Sequence, residues 1–119
     1  MNQKICVSEV GNLSGWSYRK WSNNDIELWW NAVVSYTEGP VSGGIGVEPE
    51  ILYIAYTTLQ LPFSVADGVV TASIMWGYTD WVQVSFETAD RIQIRKFGNI
   101  NSMNNPNQKT YIYIRGVLG

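Results

Sequence analysis

The chain has 119 residues, of which 45% are hydrophobic, eight are basic and ten are acidic, and these values suit one globular domain of residues 1–119. Because the charges nearly balance and no basic run occurs, we expect no nucleic-acid partner. Cys6 is the only cysteine and histidine is absent. These absences remove an intrachain disulfide, a cysteine-based zinc site and the commonest general base, so we predict no metal, no cofactor and no enzymatic activity.

The beginning of the chain, Met1 to Gly11, is polar and lacks the apolar core of a signal peptide. No segment approaches the roughly 20 apolar residues that span a membrane as a helix. We therefore expect synthesis in the cytoplasm without an export signal, and no membrane insertion.

From Trp16 onward the apolar residues recur with a period of two, which predicts β-strands. Asn23-Asn24-Asp25 predicts a turn, since these side chains bond locally and tolerate left-handed backbone conformations. The strand that follows, 26–36, has large apolar side chains on both faces. Such a strand is expected to be covered by a second sheet on one face and by another subunit on the other, with Trp29 and Val33 in the oligomer interface.

The rest of the chain predicts a series of short strands separated by turns or loops. A loop is expected at 37–49, a turn at Asp67-Gly68 and a long polar loop at 98–109. In the last strand, Tyr111 and Tyr113 share one face. The later strands are predicted at 50–61, 69–76, 81–86, 91–97 and 110–117. This pattern predicts an all-β fold, a jelly-roll-like antiparallel β-sandwich of about seven or more strands.

Asp80, Glu87 and Asp90 lie near predicted turns and are interpreted as solvated turn acids. The alternative is a catalytic pair in a polysaccharide-cleaving enzyme, which requires two carboxylates at about 5–10 Å in a groove.

The segment 76–81 is the best candidate for an exposed recognition loop, because three rings sit beside a carboxylate at a turn. We predict that Trp76, Tyr78, Asp80 and Trp81 bind the ligand, with Tyr78 the most exposed ring. The competing interpretation is that Trp76 and Trp81 are core residues of a hairpin.

The sequence Gly15-Trp16-Ser17-Tyr18-Arg19-Lys20-Trp21-Ser22, continuing through Ile26-Glu27-Leu28-Trp29, resembles a motif of phage and prophage tail proteins from gut bacteria. The family motif reads Gly-x-Trp-x-Tyr-Arg-Lys-Trp-Ser, then a turn, then x-Glu-Cys-Trp-Gly. Leu28 and Trp30 depart from it. The resemblance implies that Trp16, Trp21 and Trp29 fill a core, while Tyr18 and Arg19 bond across strands.

The resemblance further implies the tip of a phage tail fibre, located in the virion, assembled as a homotrimer and docking on a bacterial surface glycan or surface protein. Residues 1–13 would then be an extended N-terminal arm or the remnant of a fibre shaft. The alternatives are a carbohydrate-binding module of a secreted enzyme and a purely structural virion cap without a ligand.

Overall fold

The structure, a computed structural model, describes residues 4–42, 52–75, 80–99, 103 and 108–119, and these form nine strands in two antiparallel sheets. The strands are β1 (Val7–Leu13), β2 (Trp16–Trp21), β3 (Asp25–Val33), β4 (Glu38–Ser42), β5 (Tyr53–Gln60), β6 (Val65–Ile74), β7 (Trp81–Thr88), β8 (Arg91–Gly98) and β9 (Lys109–Leu118). One sheet has the order β1-β2-β3-β9-β6 and the other the order β4-β5-β8-β7. The predicted all-β sandwich is confirmed. Within these residues, no helix is long and apolar enough to cross a membrane.

Three features of the sheets differ from the sequence-based prediction. β1 lies in the polar start of the chain and β4 in a predicted loop, and neither has a strong alternating pattern because most of their side chains are exposed. Asp67-Gly68 does not end a strand. It lies inside β6, where Asp67 has a φ of 51° and the pairing register shifts between Ala66 and Val69, as in a β-bulge.

Two tight turns fix the first three strands. Ser14 and Gly15 both have positive φ, 53° and 86°, which is the geometry of a type I′ hairpin turn between β1 and β2. The predicted turn between β2 and β3 is confirmed: Asn24 has a φ of 71°, and the Asp25 amide donates to Asn23 Oδ1 at 3.1 Å.

The hydrophobic core lies between the two sheets. Alternate residues of a strand point to opposite faces, so the inward positions of β3, β8 and β9 bring Leu28, Ile94 and Ile114 together, each fully buried. Burial of side chains of this size stabilises the fold by about 1.5–3 kcal/mol each. Trp16 also lies in this core, as the tail-protein motif implies, and its indole N–H donates to Gln60 O at 3.1 Å, which links the two sheets.

Candidate ligand-binding site

The outer face of the five-stranded sheet carries a group of aromatic and charged side chains. The strand register places Arg19 beside Glu27 and Trp29 beside Tyr113, with all four on the face opposite Leu28. Trp21 and Trp29 therefore do not fill the core, and the role implied by the motif is wrong for them: in their strands they have the opposite parity to Trp16 and Leu28. We call this surface the aromatic face, defined by Arg19, Trp21, Glu27, Trp29, Tyr111 and Tyr113.

Glu27 organises the aromatic face through three hydrogen bonds. Its Oε1 accepts from Arg19 Nε at 2.9 Å and from the Trp21 indole nitrogen at 3.0 Å, while its Oε2 accepts from the Tyr113 hydroxyl at 2.6 Å. Hydrogen bonds to a carboxylate are among the stronger ones in proteins. We call Glu27 with these three partners and Trp29 the Glu27 network.

The Arg19 guanidinium lies 5.2 Å from the ring centres of both Trp21 and Trp29. Trp29 also contacts Tyr113, with ring centres 5.6 Å apart and planes tilted by 44°. These contacts are cation–π and aromatic pairs, and they hold each ring in one orientation. Because these rings are already held in place, the protein loses less side-chain entropy when a ligand binds than it would if binding had to order them.

The electrostatics of the Glu27 network favour the ionised carboxylate. Burial alone would raise the pKa of Glu27, but the hydrogen bonds from Tyr113, Trp21 and Arg19, together with the Arg19 charge, outweigh it and lower the pKa below its ordinary value. Burial and the bond to Glu27 raise the pKa of the Tyr113 hydroxyl. Glu27 therefore acts as a fixed acceptor, and Tyr113 remains a hydroxyl donor at neutral pH.

Two depressions lie side by side on this face, and Tyr113 lines both. The first, which we call the neutral depression, has a volume of about 600 Å³; its outward-facing lining residues are Ser17, Trp29, Asn31, Thr71, Ser73, Tyr111 and Tyr113. The second, the charged depression, has a volume of about 420 Å³ and is lined by residues that include Trp21, Asp25, Glu27, Asp67, Tyr113 and Arg115. One depression thus offers rings with hydroxyl and amide groups, and the other offers rings with ionic groups.

The Glu27 carboxylate accepts hydrogen bonds from three donors. In the part of the chain that the structure describes, no cluster of histidine, cysteine, aspartate or glutamate could hold a metal ion.

The predicted loop site is described only in part. Trp76 and Tyr78 lie outside the described residues. Trp81 is 48% exposed and lies on the outer face of the four-stranded sheet, where its ring stacks on Phe97 with centres 5.3 Å apart and planes 8° apart. Trp81 is thus accessible to a ligand, and its contact with one stays a prediction.

Asp80 is not the solvated turn acid that the sequence predicts. It is only 5% exposed, and its Oδ2 lies 3.7 Å from Lys96 Nζ, beyond hydrogen-bonding distance but within range of a strong ionic attraction. Burial lowers the pKa of Lys96, and the Asp80 charge opposes that shift. Burial raises the pKa of Tyr36 to about 12; Thr110 opposes this shift, and the Asp80 charge adds to it to a lesser extent. A ligand would have to open this buried pair to reach Asp80.

The predicted oligomer-interface residues lie at different depths on the outer face of the five-stranded sheet. Val33 is 43% exposed at the end of β3, whereas Trp29 is half-buried among its neighbours in the Glu27 network. Their role in an interface stays a prediction.

Sequence reasoning missed Glu27 and Tyr113 as functional candidates. The signal was available in two places: Tyr111 and Tyr113 alternate with buried isoleucines in β9, and the motif pairs Arg19 with Glu27 across one short turn. Neither pattern by itself reveals that β9 is the strand next to β3.

No family model, no curated protein and no solved structure matches this chain.

Proposed function

We propose that this chain is the receptor-binding tip domain of a phage tail fibre, and that its aromatic face binds a glycan on a bacterial surface without catalysing a reaction. The observation that carries the glycan part is the Glu27 network, which holds Trp21, Trp29 and Tyr113 on an open sheet face. The tail-fibre part is supported by the resemblance of residues 15–29 to the motif of tail proteins.

The side chains of the aromatic face are chemically complementary to a sugar. A sugar ring has an apolar face that packs on an aromatic ring, and an edge of hydroxyl groups that need fixed donors and acceptors. The aromatic face supplies both, because Trp29 and Tyr113 stand beside the polar side chains of Ser17 and Asn31. Protein interfaces are also enriched in Trp, Tyr and Arg, so the test below includes treatments that separate a glycan receptor from a protein receptor.

The domain is proposed to act as a homotrimer whose interface leaves the aromatic face open, so the predicted interface role of Trp29 is not part of this proposal. A shallow site on a sheet face binds one sugar chain weakly, and three linked sites raise the effective concentration of the second contact. Light scattering coupled to size exclusion should give about three times the monomer mass of 13.4 kDa. A monomer mass throughout a dilution series would contradict the trimer and leave the glycan site to be judged separately.

The exposed end of β7 is the second candidate surface for the same function. Trp81 is 48% exposed there, stacked on Phe97. Trp29→Ala and Trp81→Ala therefore form a matched pair, because each removes one tryptophan from the outer face of a different sheet. Loss of a central aromatic contact costs about 2 kcal/mol, or roughly 30-fold in affinity.

The test is a bacterial glycan array followed by binding to whole cells of gut bacteria. We expect Trp29→Ala to lose binding roughly 30-fold and Trp81→Ala to bind as the wild type does. Cell binding should survive protease treatment of the cells and be lost after periodate oxidation of their glycans. The opposite treatment result would identify a protein receptor, and loss in Trp81→Ala alone would move the site to the β7 end. Absence of binding to array and cells would support the structural cap.

A further inference from the structure

The two depressions of the aromatic face follow one another along β3 and share the lining residue Tyr113. The charged depression lies beside Asp25 and Glu27 of β3, the neutral depression lies beside Trp29 and Asn31 of the same strand, and Tyr113 of β9 lines both. Six residue steps separate Asp25 from Asn31, which is about 20 Å at roughly 3.4 Å per residue. One pyranose ring is much shorter than this distance.

Every described residue that lines the two depressions belongs to a strand: β2, β3, β6 or β9. Side chains on a sheet face form the floor and the low sides, and among the residues that the structure describes no lining residue comes from a loop. A site that selects a terminal sugar needs an end wall that rejects a further unit. None of the described lining residues forms such a wall, so a glycan can continue past these residues at both ends.

We propose that the aromatic face binds an internal stretch of a linear glycan that spans both depressions, rather than one terminal sugar. The inference rests on the proposed function, because it specifies the glycan at the same site. A neutral unit occupies the neutral depression, where Tyr111 supplies a ring and Ser73 and Thr71 supply hydroxyl groups. A unit with charged or amide substituents occupies the charged depression. There Arg115, which forms no ion pair with any of the described residues, supplies donors.

Substitutions at two exposed residues allow the contribution of each depression to binding to be measured separately. Tyr111 is 41% exposed and lines only the neutral depression, whereas Arg115 is exposed and lines only the charged one. Neither is buried in the core or bonded to Glu27, so alanine at either position should leave the fold intact. Unchanged thermal unfolding of both variants is the check.

The experiment measures affinity by calorimetry for fragments of one, two, four and six units, prepared from the polysaccharide that binds most strongly on the array. We expect affinity to rise at least tenfold from one unit to four and then to level off. Tyr111→Ala should weaken binding of every fragment, whereas Arg115→Ala should weaken only the fragments long enough to reach the charged depression.

Equal affinity for one unit and six units would overturn the inference while leaving the proposed function standing. An Arg115→Ala effect that is the same at every length would overturn it as well, because the two depressions would then hold a single unit. If no carbohydrate of any length binds, the proposed function itself fails, and the inference fails with it.

Discussion

Two of the four ion pairs among the described residues have similar groups in opposite surroundings. Lys96 and Asp80 meet between the sheets, with side chains only 4% and 2% exposed, whereas Arg19 and Glu27 meet on an outer face, with side chains 38% and 17% exposed. The inner pair is enclosed by protein. The outer pair is surrounded by aromatic rings that a ligand can reach.

The difference in burial between the two pairs shows that the position of a carboxylate near a predicted turn does not make it accessible to a ligand. Asp80 belongs to the predicted recognition loop 76–81, yet its carboxylate is buried beside Lys96. Glu27 lies in the middle of a strand, where a structural role is expected from the sequence, yet it orders the side chains of the face that we propose as the binding surface. The pair in the interior should therefore govern stability, and the pair on the face should govern binding.

The largest expected effect is on stability, from breaking the inner pair. Lys96→Ala leaves the Asp80 carboxylate buried without its cation, and removal of one partner of a buried pair typically costs about 3–5 kcal/mol. Urea denaturation measures the loss. Lys109→Ala is the matched control, because Lys109 is exposed and should change the free energy of unfolding by less than about 0.5 kcal/mol. Equal effects of the two variants would show that the inner pair does not stabilise the sandwich.

The next effect comes from neutralising the outer pair. Glu27→Gln keeps the side-chain length but removes the charge that accepts from Arg19, Trp21 and Tyr113, and the free energy of unfolding should fall by about 1–3 kcal/mol. Glycan affinity should fall roughly tenfold because the rings lose their fixed orientation.

Glu87→Gln is the control for this change, since Glu87 is an exposed acid on the other sheet. It should leave glycan affinity unchanged. If Glu27→Gln binds glycan as well as the wild type does, the network is not needed to position the rings.

A smaller effect is expected from acid. The pKa of Glu27 is lowered in the folded protein, so the network stabilises the fold above about pH 4.3, the ordinary value for glutamate, and this contribution disappears as the pH falls through the lower folded pKa. The near-ultraviolet dichroism of the wild type should lose its tryptophan signal in part over that range, before global unfolding. In Glu27→Gln this step should be absent, and an identical step in both proteins would assign it to another group.

The smallest effect belongs to a pair on the surface. Arg91 and Glu87 lie 3.7 Å apart with side chains 44% and 41% exposed, and such pairs contribute little because water screens them. Arg91→Ala should change the free energy of unfolding by at most about 0.5 kcal/mol. A loss above about 1 kcal/mol would show that exposure is a poor guide to the strength of pairs in this protein.

The fold could be predicted from the sequence further than the site could. Strict alternation identified the strands that bury isoleucine, such as β8 and β9, because one face of each is fully covered. β1 was not predicted because none of its residues is buried, so no alternation marks one of its faces. The bulge at Asp67 was predicted as a turn because both structures place a residue at positive φ. The Glu27 network could not be predicted, because Tyr113 is 86 residues from Glu27 and only the pairing of β3 with β9 brings them together.

The most direct test of the central claim is a nuclear magnetic resonance titration that follows the tryptophan indole N–H signals as bacterial surface polysaccharide is added. The account predicts that the signals of Trp21 and Trp29 shift, whereas those of Trp16 in the core and Trp81 on the other sheet do not. Shifts confined to Trp81, with Trp21 and Trp29 unchanged, would contradict it.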